Sequence, residues 1–566
     1  MAGNGVPSLL LVDARSIDHP TARQRGIGRH VTGLLQGLVE IEAPVVALCA
    51  NGRQTELVAD AVEGVEIDIW SPQTIRNRLG ADAWYLATQL LLHPIALDPI
   101  PSVITQARLP VAALMYDVIP YRHPLEYLVD PNPRNQARLR SPLARTVDVM
   151  LANSEFVRET AATELSYPIE RIRTVGVGVT PNFRPASVSP LPWPTRVLPI
   201  STDRYVVAVT GTDDRKNTEG LLRAWALLPP PIRRSTSLVV ATGHTPAVLR
   251  SWQRWANEAG VTDEVVFTGH VTDDEMVALL QRAALSVFPS LDEGFGLPVV
   301  EAAACGCPVI CSGVTSLPEV LDEPDACFDP TDPSAIADAI VRGLEEPAHR
   351  ELLLEAGRRA VDRWSWPRVA ADALEALAEL GPRWSQRIAE PRRRTAFAGA
   401  FTGSTSVLGE YNESIMAAIG DRVEHLVFVD GSDTPEPTHA GPDRWPIRAL
   451  GPYVKPWDVD HIVAILGYSL QHVATSEVAR TTPCHLWIHD DAVQGTVFGA
   501  NLQALDIARS VIVASIEVAG RLRQATEHTF PVLLLSAETS VDDAATALVE
   551  WLADVDDLDP TTIRYR

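Results

Sequence analysis

Two glutamates, Glu293 and Glu301, bracket a glycine-containing loop and the beginning of a predicted helix. A carboxylate accepts several hydrogen bonds, which suits it to the hydroxyl groups of a sugar. Two glycines in the loop 292–296 let its backbone come close to a ligand. Leu297 then opens the helix, whose free N–H groups and partial positive charge favour an anion such as phosphate. This stretch therefore predicts a site for a ligand that carries both phosphate and hydroxyl groups.

The chain contains two lysines, Lys216 and Lys455, against 46 arginines. Arginine therefore supplies the general positive charge, and a lysine kept in a glycine-flanked loop is a candidate for a specific role. Lys216 follows Arg215, and the pair stands between Gly211, just after a predicted strand at 205–210, and a predicted helix. We predict that the two cations hold a diphosphate; a solvated loop is the alternative.

A second glycine loop follows the predicted strand Leu9–Asp13 and precedes a predicted helix at 31–40. The loop contains Gly26, Gly28 and Arg29. Strand, glycine loop and helix again form an arrangement that suits an anion. A packing turn with a solvated arginine is the alternative interpretation.

The predicted strand 111–116 ends at Tyr116, and Asp117 follows it directly. Open α/β sheets bind ligands at the carboxyl ends of their strands, so Asp117 is a candidate carboxylate. The Tyr116 phenol can donate a hydrogen bond to a sugar oxygen. Arg122 and His123 lie just downstream, where either could contact the ligand or belong to a plain surface loop.

The length and composition of the chain limit its class. A chain of 566 residues exceeds a single core and predicts about three domains. Its 46% apolar content and alternating strand and helix patterns predict an α/β fold. A net charge of −24 argues against nucleic-acid binding, but peripheral membrane contact through a local basic patch stays open. Because no apolar run is long enough to span a bilayer and no targeting pattern opens the chain, we expect a cytoplasmic protein.

Three of the six cysteines, Cys305, Cys307 and Cys311, stand close together in the sequence. Such a group could hold zinc, although the chain has no paired C-x-x-C spacing. These residues lie on a helix-to-strand segment that we expect to be buried. Small apolar packing is therefore favoured, and no metal site is predicted.

The motif E-G-F-G-L-P, followed by V-E-A-A-A-C-G-C-P-V-I, resembles the signature of the retaining GT-B glycosyltransferases of group 1, family 4 type. The resemblance extends more weakly over residues 8–380. It implies two Rossmann-like domains that face a cleft and transfer of a sugar from a nucleotide-diphosphate sugar with retention of configuration. It also implies that the leaving phosphate deprotonates the acceptor and that no metal or cofactor is needed.

The same resemblance assigns roles to individual residues. It implies catalytic roles for Glu293, Lys216 and Asp117, and it places the ribose of the donor on Glu301. The residues it places on the acceptor side of the cleft are Gly26, Gly28, Arg29, Tyr116 and Asp117. The residues it implies for donor binding are Gly211, Arg215, Lys216, Gly269, His270, Val271, Glu293, Gly294, Phe295, Gly296, Leu297 and Glu301.

The sequence departs from the family at two positions. Many members carry His-Asp where this chain has Tyr116-Asp117, and the histidine touches the transferred sugar. Some members carry an arginine where this chain has Thr212, a loss that Arg215 could offset. These departures leave two alternatives open. One is a sugar-nucleotide-binding scaffold with weak turnover, and the other is a different GT-B enzyme such as an epimerase or phosphorylase.

Y-D-V-I-P at 116–120 and S-L-P-E at 316–319 resemble mannosyl- and rhamnosyltransferases of surface polysaccharides. This favours GDP-mannose as the donor and a glycan or lipid-linked acceptor, with the protein in the cytoplasm or at the inner face of the membrane. The nucleotide, the sugar, the linkage and the oligomeric state stay open.

Beyond residue 380 the chain repeats the order of the N-terminal motifs and retains a His-Asp pair at His489-Asp490. We therefore predict a partial second GT-B N-terminal-like module that is inactive alone because a donor half is missing. The predicted divisions are an acceptor-side domain at 1–195, a donor-binding domain at 196–363, a helix crossing back at 364–380, a linker at 381–395 and the extra module at 396–566.

Overall fold

The computed structural model describes most of the chain. The described residues are 7–18, 26–69, 83–91, 99–100, 109–130, 147–165, 167–188, 191–192, 204–389, 394–399, 407–422, 424–429, 444–446, 461–466, 484–488, 504–526, 528–536, 538–565 and the single positions 104, 133, 137, 144, 475 and 479. The chain divides into two compact units. The first comprises 1–92, 110–134 and 147–382, and the second comprises 93–109, 135–146 and 383–566.

The first half of the first unit is built on a parallel sheet with the order β3-β2-β1-β4-β5-β6-β7. Its inner strands are short apolar runs buried along their length, as expected for a sheet covered by helices on both faces. The strands are β1 Leu9–Asp13, β2 Val45–Cys49, β3 Glu66–Ile69, β4 Ala83–Ala87, β5 Val111–Met115, β6 Val149–Ala152 and β7 Ile172–Thr174. The helices are α1 Gly26–Glu40, α2 Gly52–Ala61, α3 Ile119–Arg122, α4 Pro124–Tyr127 and α5 Glu155–Glu164.

The second half of the first unit is a parallel sheet with the order β10-β9-β8-β11-β12-β13. Its strands are β8 Tyr205–Val209, β9 Ser237–Ala241, β10 Val265–Phe267, β11 Leu285–Phe288, β12 Val309–Ser312 and β13 Cys327–Phe328. Its helices are α6 Thr218–Leu227, α7 Pro230–Ser235, α8 Pro246–Glu258, α9 Asp273–Leu280, α10 Leu297–Ala304, α11 Leu317–Leu321, α12 Pro333–Glu345 and α13 Pro347–Arg363. Because β8 pairs with both β9 and β11, the loops after β8 and β11 meet at one edge of the sheet.

A long helix, α14 Trp366–Ala389, begins against the first half of the first unit. An ideal Cβ on Gly33 of α1 would lie 1.9 Å from Cε2 of Trp366, so only glycine permits this approach. Arg173 and Glu379 also pair at 2.7 Å between β7 and this helix. The helix therefore returns from the second half of the unit to the first.

Two predicted helix boundaries are wrong. Helix α1 begins at Gly26 rather than Val31, because its apolar stripe already starts at Ile27 and the burial of that stripe outweighs the low helix propensity of glycine. Helix α14 continues to Ala389, so the first nine residues of the predicted linker are helical. Residues 383–389 contain good helix formers and no glycine or proline, and Pro391 follows only after the helix has ended.

The second unit contains an eight-stranded parallel sheet with the order β16-β15-β14-β17-β18-β19-β20-β21. Numbered from its own first strand, this is the order of the first sheet with one strand added at an edge. Its strands are β14 Arg394–Gly399, β15 Glu424–Val429, β16 Arg444–Pro446, β17 His461–Leu466, β18 His485–Ile488, β19 Ser510–Val513, β20 Val532–Leu534 and β21 Ile563–Tyr565, with helices α15 Val407–Ile419, α16 Ile516–Gln524 and α17 Val541–Asp554. His489 and Asp490 lie outside the described residues.

Among the described helices, none combines the length and the apolar character that crossing a bilayer requires. Cys305, Cys307 and Cys311 are buried between the end of α10 and β12. In the described part of the chain, no cluster of three or more His, Cys, Asp or Glu side chains has the geometry of a metal site.

Candidate active site

The rare lysine and the glutamate loop lie side by side. Lys216 ends a short 3-10 helix, Asp214–Lys216, that follows β8, while Glu293 follows the neighbouring strand β11. The Lys216 ammonium pairs with Oε1 of Glu293. Nη1 of Arg215 donates to Oε2 of the same carboxylate at 3.1 Å. The structure thus brings together both predicted cations and the first predicted glutamate.

Electrostatics keep Glu293 and Arg215 charged. Burial works to raise the pKa of Glu293, but Lys216 and Arg215 outweigh it and hold that pKa below its ordinary value. Burial also works to lower the pKa of Arg215, yet Glu293 and Asp213 raise it overall. Glu293 and Asp213 are therefore the carboxylates that face the two cations, and an anion that binds Arg215 and Lys216 must compete with them.

Local hydrogen bonds fix the lysine loop against β11. The Asp213 side chain caps the 3-10 helix by accepting from the Arg215 N–H at 3.1 Å. Asn217 adopts a left-handed conformation, with φ 57°, and its Nδ2 donates to the Pro289 carbonyl at 3.1 Å. Nζ of Lys216 lies 5.4 Å from the centre of the Phe288 ring. These contacts orient the two cations before any ligand binds.

The glutamate loop, residues 292–296, is fixed by hydrogen bonds to its backbone carbonyl groups. The Ser316 hydroxyl donates to the Glu293 carbonyl at 3.1 Å and to the Phe295 carbonyl at 3.0 Å. The Phe295 ring packs edge-on against Trp364 with centres 5.2 Å apart. Phe295 is one of the predicted donor-binding residues, and its side chain packs in the core. Gly296 and Leu297 lie at the junction of the loop with α10.

Gly294 joins this loop to the first half of the unit. An ideal Cβ on Gly294 would lie 2.2 Å from the Tyr116 carbonyl oxygen, so the two backbones are in direct contact. The Ser154 hydroxyl donates to the Gly294 carbonyl at 2.6 Å. Tyr116 and Asp117, predicted for the acceptor side, therefore stand next to the donor loop.

Asp117 is half-buried at the end of β5. Burial is the main cause that raises the pKa of its carboxyl above the ordinary value, and Glu293 and Asp292 add to it. The Ile119 N–H, which donates to Oδ1 at 3.2 Å, and Arg215 act in the opposite direction. The site thus contains one carboxylate with a lowered pKa, Glu293, and one with a raised pKa.

The second glutamate of the motif is paired across the cleft. Nη1 of Arg29 donates to Oε1 of Glu301 at 2.8 Å, and Arg29 also pairs with Asp273 at the start of α9. Burial raises the pKa of Glu301, while Arg29 works to lower it. Arg29 lies in the first turn of α1 together with Gly26 and Gly28, so this turn faces the donor half.

The sequence analysis missed further contacts across the cleft, which involve the carboxylates of Asp292, Asp213 and Glu319. Arg122 binds both oxygens of Asp292, at 2.9 and 2.7 Å, and His123 Nε2 lies 3.0 Å from the same carboxylate. The Tyr127 hydroxyl donates to Asp213 at 2.8 Å. Glu319 accepts from the N–H groups of Glu155 and Phe156, at 2.9 and 3.1 Å, and so caps α5. No local pattern pairs residues so far apart in sequence.

The turn Gly269-His270-Val271 follows β10, two strands from β8 at the same carboxyl edge. Gly269 has φ +73°, and His270 is exposed. An ideal Cβ on Gly211 would lie 3.4 Å from the Lys216 side chain, so Gly211 belongs to the cation cluster. The role of the 269–271 turn in donor binding stays a prediction.

Comparison with known proteins identifies the fold of the chain and the family that residues 195–360 match. HepE from Anabaena, solved with UDP and glucose, superposes with a TM-score of 0.50 over 66% of this chain and 99% of HepE, at 15% identity. At that identity the likeness concerns the fold alone, which is GT-B. Residues 195–360 match the family described as glycosyl transferases group 1. The chain contains a group 1 glycosyl transferase domain. The predicted family resemblance is therefore confirmed, whereas the extra C-terminal module as a partial second GT-B stays a prediction.

Two relatives of this chain are mannosyltransferases of Escherichia coli. The serotype-specific mannosyltransferase WbdA is 30% identical over 272 residues, which cover 47% of this chain and 33% of WbdA. The O-antigen chain mannosyltransferase B is 31% identical over 262 residues, which cover 44% of this chain and 66% of that protein. The chain thus spans about a third of the length of WbdA. The activity of this chain is therefore proposed below.

Proposed function

We propose that this protein transfers a hexose, with mannose favoured, from a nucleotide-diphosphate sugar to a glycan or lipid-linked acceptor. The observation that carries the proposal is the pair of cations Arg215 and Lys216 on one carboxylate, Glu293, at the carboxyl edge of a GT-B donor half. The names of the two E. coli relatives support mannose as the sugar. A lipid-linked acceptor would bring the reaction to the cytoplasmic face of a membrane.

The donor diphosphate binds where positive charge is already oriented. Lys216 and Arg215 face the bridging carboxylate of Glu293, and the N-terminus of α10 opens just beyond Gly296. A bound diphosphate competes with Glu293 for both cations and frees that carboxylate to accept hydrogen bonds from the transferred sugar. Fixed cations that meet the charge developing on the leaving group stabilise the transition state strongly.

The ribose of the donor binds Glu301. This carboxylate is buried and pairs with Arg29 at 2.8 Å, so the ribose hydroxyls must share or displace that pair. Glu301 then has a hydrogen-bond donor both in the free protein, from Arg29, and in the complex, from the ribose. This matters because a buried charge without a partner is costly. Arg29 therefore couples donor binding to the acceptor side of the cleft.

The transfer step needs no dedicated protein base. The bond from the anomeric carbon to the phosphate oxygen breaks, a bond from the same carbon to the acceptor oxygen forms on the same face, and the acceptor proton passes to the leaving phosphate. The half-buried Asp117, with its raised pKa, hydrogen-bonds to sugar hydroxyls. Closely packed contacts such as Ser154 to Gly294 exclude water and limit hydrolysis of the donor.

A binding screen followed by a transfer assay tests the proposal. We expect GDP-mannose to raise the melting temperature more than UDP- or dTDP-sugars do. A donor present at a hundred times its dissociation constant stabilises by about 2.7 kcal/mol. Mannose should then move from GDP-mannose to a mannoside acceptor, with the anomeric configuration retained by NMR. Stabilisation by no sugar nucleotide, together with no transfer, contradicts the proposed function.

A catalytically weak scaffold is the second candidate, and Tyr116 in place of the family histidine favours it. The two functions differ in turnover rather than in binding. Nucleotide-sugar binding with neither transfer nor hydrolysis of the donor would support the scaffold.

A further inference from the structure

A small cavity lies in the first half of the first unit, at the carboxyl ends of β4 and β5. Its described lining residues are Gln89, Leu90, Leu91, Leu114, Met115, Tyr116 and Asp117. Gln89 follows β4 and Tyr116 follows β5, and the two strands are parallel neighbours. The cavity is therefore a product of the sheet itself rather than of a surface loop.

Two polar groups of this lining lack hydrogen-bond partners among the described residues. Gln89 is 5% exposed, and its Nε2 is buried without an acceptor. The Tyr116 hydroxyl is buried and also unpaired. A buried polar group without a partner is unfavourable, and folded proteins rarely retain one unless a ligand or water satisfies it.

Several polar groups next to the cavity are paired with each other and therefore do not satisfy Gln89 or Tyr116. The Thr88 hydroxyl, one residue before Gln89, donates to the Asp13 carbonyl at 2.7 Å. The Tyr85 hydroxyl donates to the Asp13 carboxylate at 3.1 Å, and Arg15 binds the same carboxylate at 2.8 Å. Apart from Asp117, the remaining wall is apolar, with Leu114 and other side chains that cannot pair with an amide or a phenol.

The Tyr116 ring is held in place by a neighbour on α1. The His30 ring packs edge-on against it, with ring centres 5.2 Å apart, and His30 is 2% exposed. Burial lowers the pKa of His30 to about 3, so the imidazole is neutral and does not repel a cation or attract an anion. Burial raises the pKa of Tyr116, so the phenol keeps its proton. The cavity is thus suited to a neutral polar group.

We propose that Gln89, together with Tyr116, forms a subsite that receives one hydroxyl group of a sugar substrate. The oxygen of a hydroxyl group has two lone pairs, so it can accept from the Gln89 amide and from the Tyr116 phenol, which satisfies both donors at once. The backbone of Tyr116 touches Gly294 of the donor loop, so the subsite adjoins the place where the sugar is transferred. This inference rests on the proposed transfer function and adds Gln89 as a specificity-determining residue.

The hydroxyl group belongs to the donor sugar or to the acceptor sugar, and deoxy analogues separate the two. Wild-type protein is assayed with GDP-mannose and methyl α-mannoside, and then with monodeoxy versions of each in turn. One analogue should lower kcat/KM at least about tenfold, because it leaves Gln89 and Tyr116 unpaired. The molecule whose analogue is rejected is the source of the hydroxyl group.

Two conservative variants complete the test. Gln89→Leu and Tyr116→Phe should each lower kcat/KM about tenfold with the intact substrates and abolish the discrimination against the rejected analogue. Tyr116→Phe should not lower the melting temperature, because the hydroxyl group it removes is unpaired in the free protein. The control is Tyr167→Phe, which removes a hydroxyl group that donates to the Val147 carbonyl at 3.0 Å. That control should lower the melting temperature and leave kcat/KM unchanged.

Wild-type rates in both variants, or acceptance of every deoxy analogue by the wild-type protein, overturn the subsite while leaving the proposed function intact. Absence of transfer by the wild-type protein overturns the proposed function instead. The subsite is then judged by calorimetric binding of GDP-mannose and methyl α-mannoside. Equal affinities in wild type and both variants overturn it, and weaker binding of one probe in both variants supports it.

Discussion

Lys216 and Glu293 form an ion pair between two loops that follow neighbouring strands, with the Glu293 side chain 9% exposed. Arg215 binds the other oxygen of this carboxylate at 3.1 Å. In the free protein, Glu293 therefore pairs with the same two cations that we assign to the donor diphosphate. This competition leads to the first prediction.

Glu293→Gln should raise the affinity for GDP roughly tenfold and lower mannose transfer. Removal of the carboxylate frees Lys216 and Arg215 for phosphate but also removes the group that contacts the sugar. The free variant should melt at a lower temperature than wild type, and GDP should restore stability. Calorimetric titration and a transfer assay measure both effects. The control is Glu219→Gln, which removes an exposed ion pair with Arg223 within one helix. Weaker GDP binding by Glu293→Gln than by wild type would contradict the prediction.

The pair between Arg29 and Glu301 predicts a shift in pH dependence. Burial raises the pKa of Glu301 and Arg29 works against that rise, so Arg29→Gln should move the pKa further up. The carboxylate form accepts hydrogen bonds from ribose, and protonation removes that capacity. When the pH is lowered, donor affinity should therefore start to fall at a higher pH in Arg29→Gln than in wild type. Titrations of GDP-mannose across a pH series measure this, and coincident acid limbs would argue against a role for Glu301.

Gly294→Ala tests the contact between the two halves of the first unit. A Cβ at this position would lie 2.2 Å from the Tyr116 carbonyl oxygen, which is backbone and cannot rotate away. The variant should lose most of its transfer activity, because the donor loop and β5 can no longer approach. Gly52→Ala is the matched control, since a Cβ there meets no atom within 4 Å. Full activity of Gly294→Ala would show that this approach is not required.

The second unit contains a chain of buried polar groups that predicts sensitivity to acid. His461 Nδ1 lies 3.0 Å from His485 Nε2, and His485 Nδ1 lies 2.7 Å from the Ser510 hydroxyl. Burial, with His461 and Arg509, holds the pKa of His485 well below its ordinary value. The unfolded chain therefore binds a proton that the folded chain does not.

The sign of the effect follows from that difference. Above about pH 6.5, His485 does not change the free energy of unfolding. Below about pH 6.5, that free energy decreases by up to about 1.4 kcal/mol for each pH unit. His485→Asn should flatten this dependence in denaturant titrations of the full chain, whereas His528→Asn, at an exposed position, should keep the wild-type slope. Equal slopes in wild type and His485→Asn would contradict the prediction.

Sequence patterns located the strands and the donor loop better than the contacts between them. Continuous apolar runs gave β1 at Leu9–Asp13 and β11 at Leu285–Phe288 as the structure has them. The approach of Lys216 to Glu293 could be expected because parallel neighbours end at one edge of a sheet. The proposed domain boundaries stay predictions.

Contacts over long sequence distances left no local signal. Arg29 and Glu301 are 272 residues apart, and Arg122 and Asp292 are 170 apart. Gln89 follows a strand that the sequence analysis did not single out, and its significance depends on an unpaired nitrogen that only packing shows. Side-chain pairing across a cleft depends on how the two halves meet, which apolar periodicity does not encode.

The most direct test of the central claim is mannose transfer from GDP-mannose by wild type and Lys216→Met, with GDP affinity measured on the same samples. The account predicts transfer by wild type, a loss of about a hundredfold or more in kcat/KM in Lys216→Met, and weaker GDP binding. Arg223→Met, at an exposed position, should behave as wild type. Unchanged GDP affinity and unchanged transfer in Lys216→Met would contradict the account.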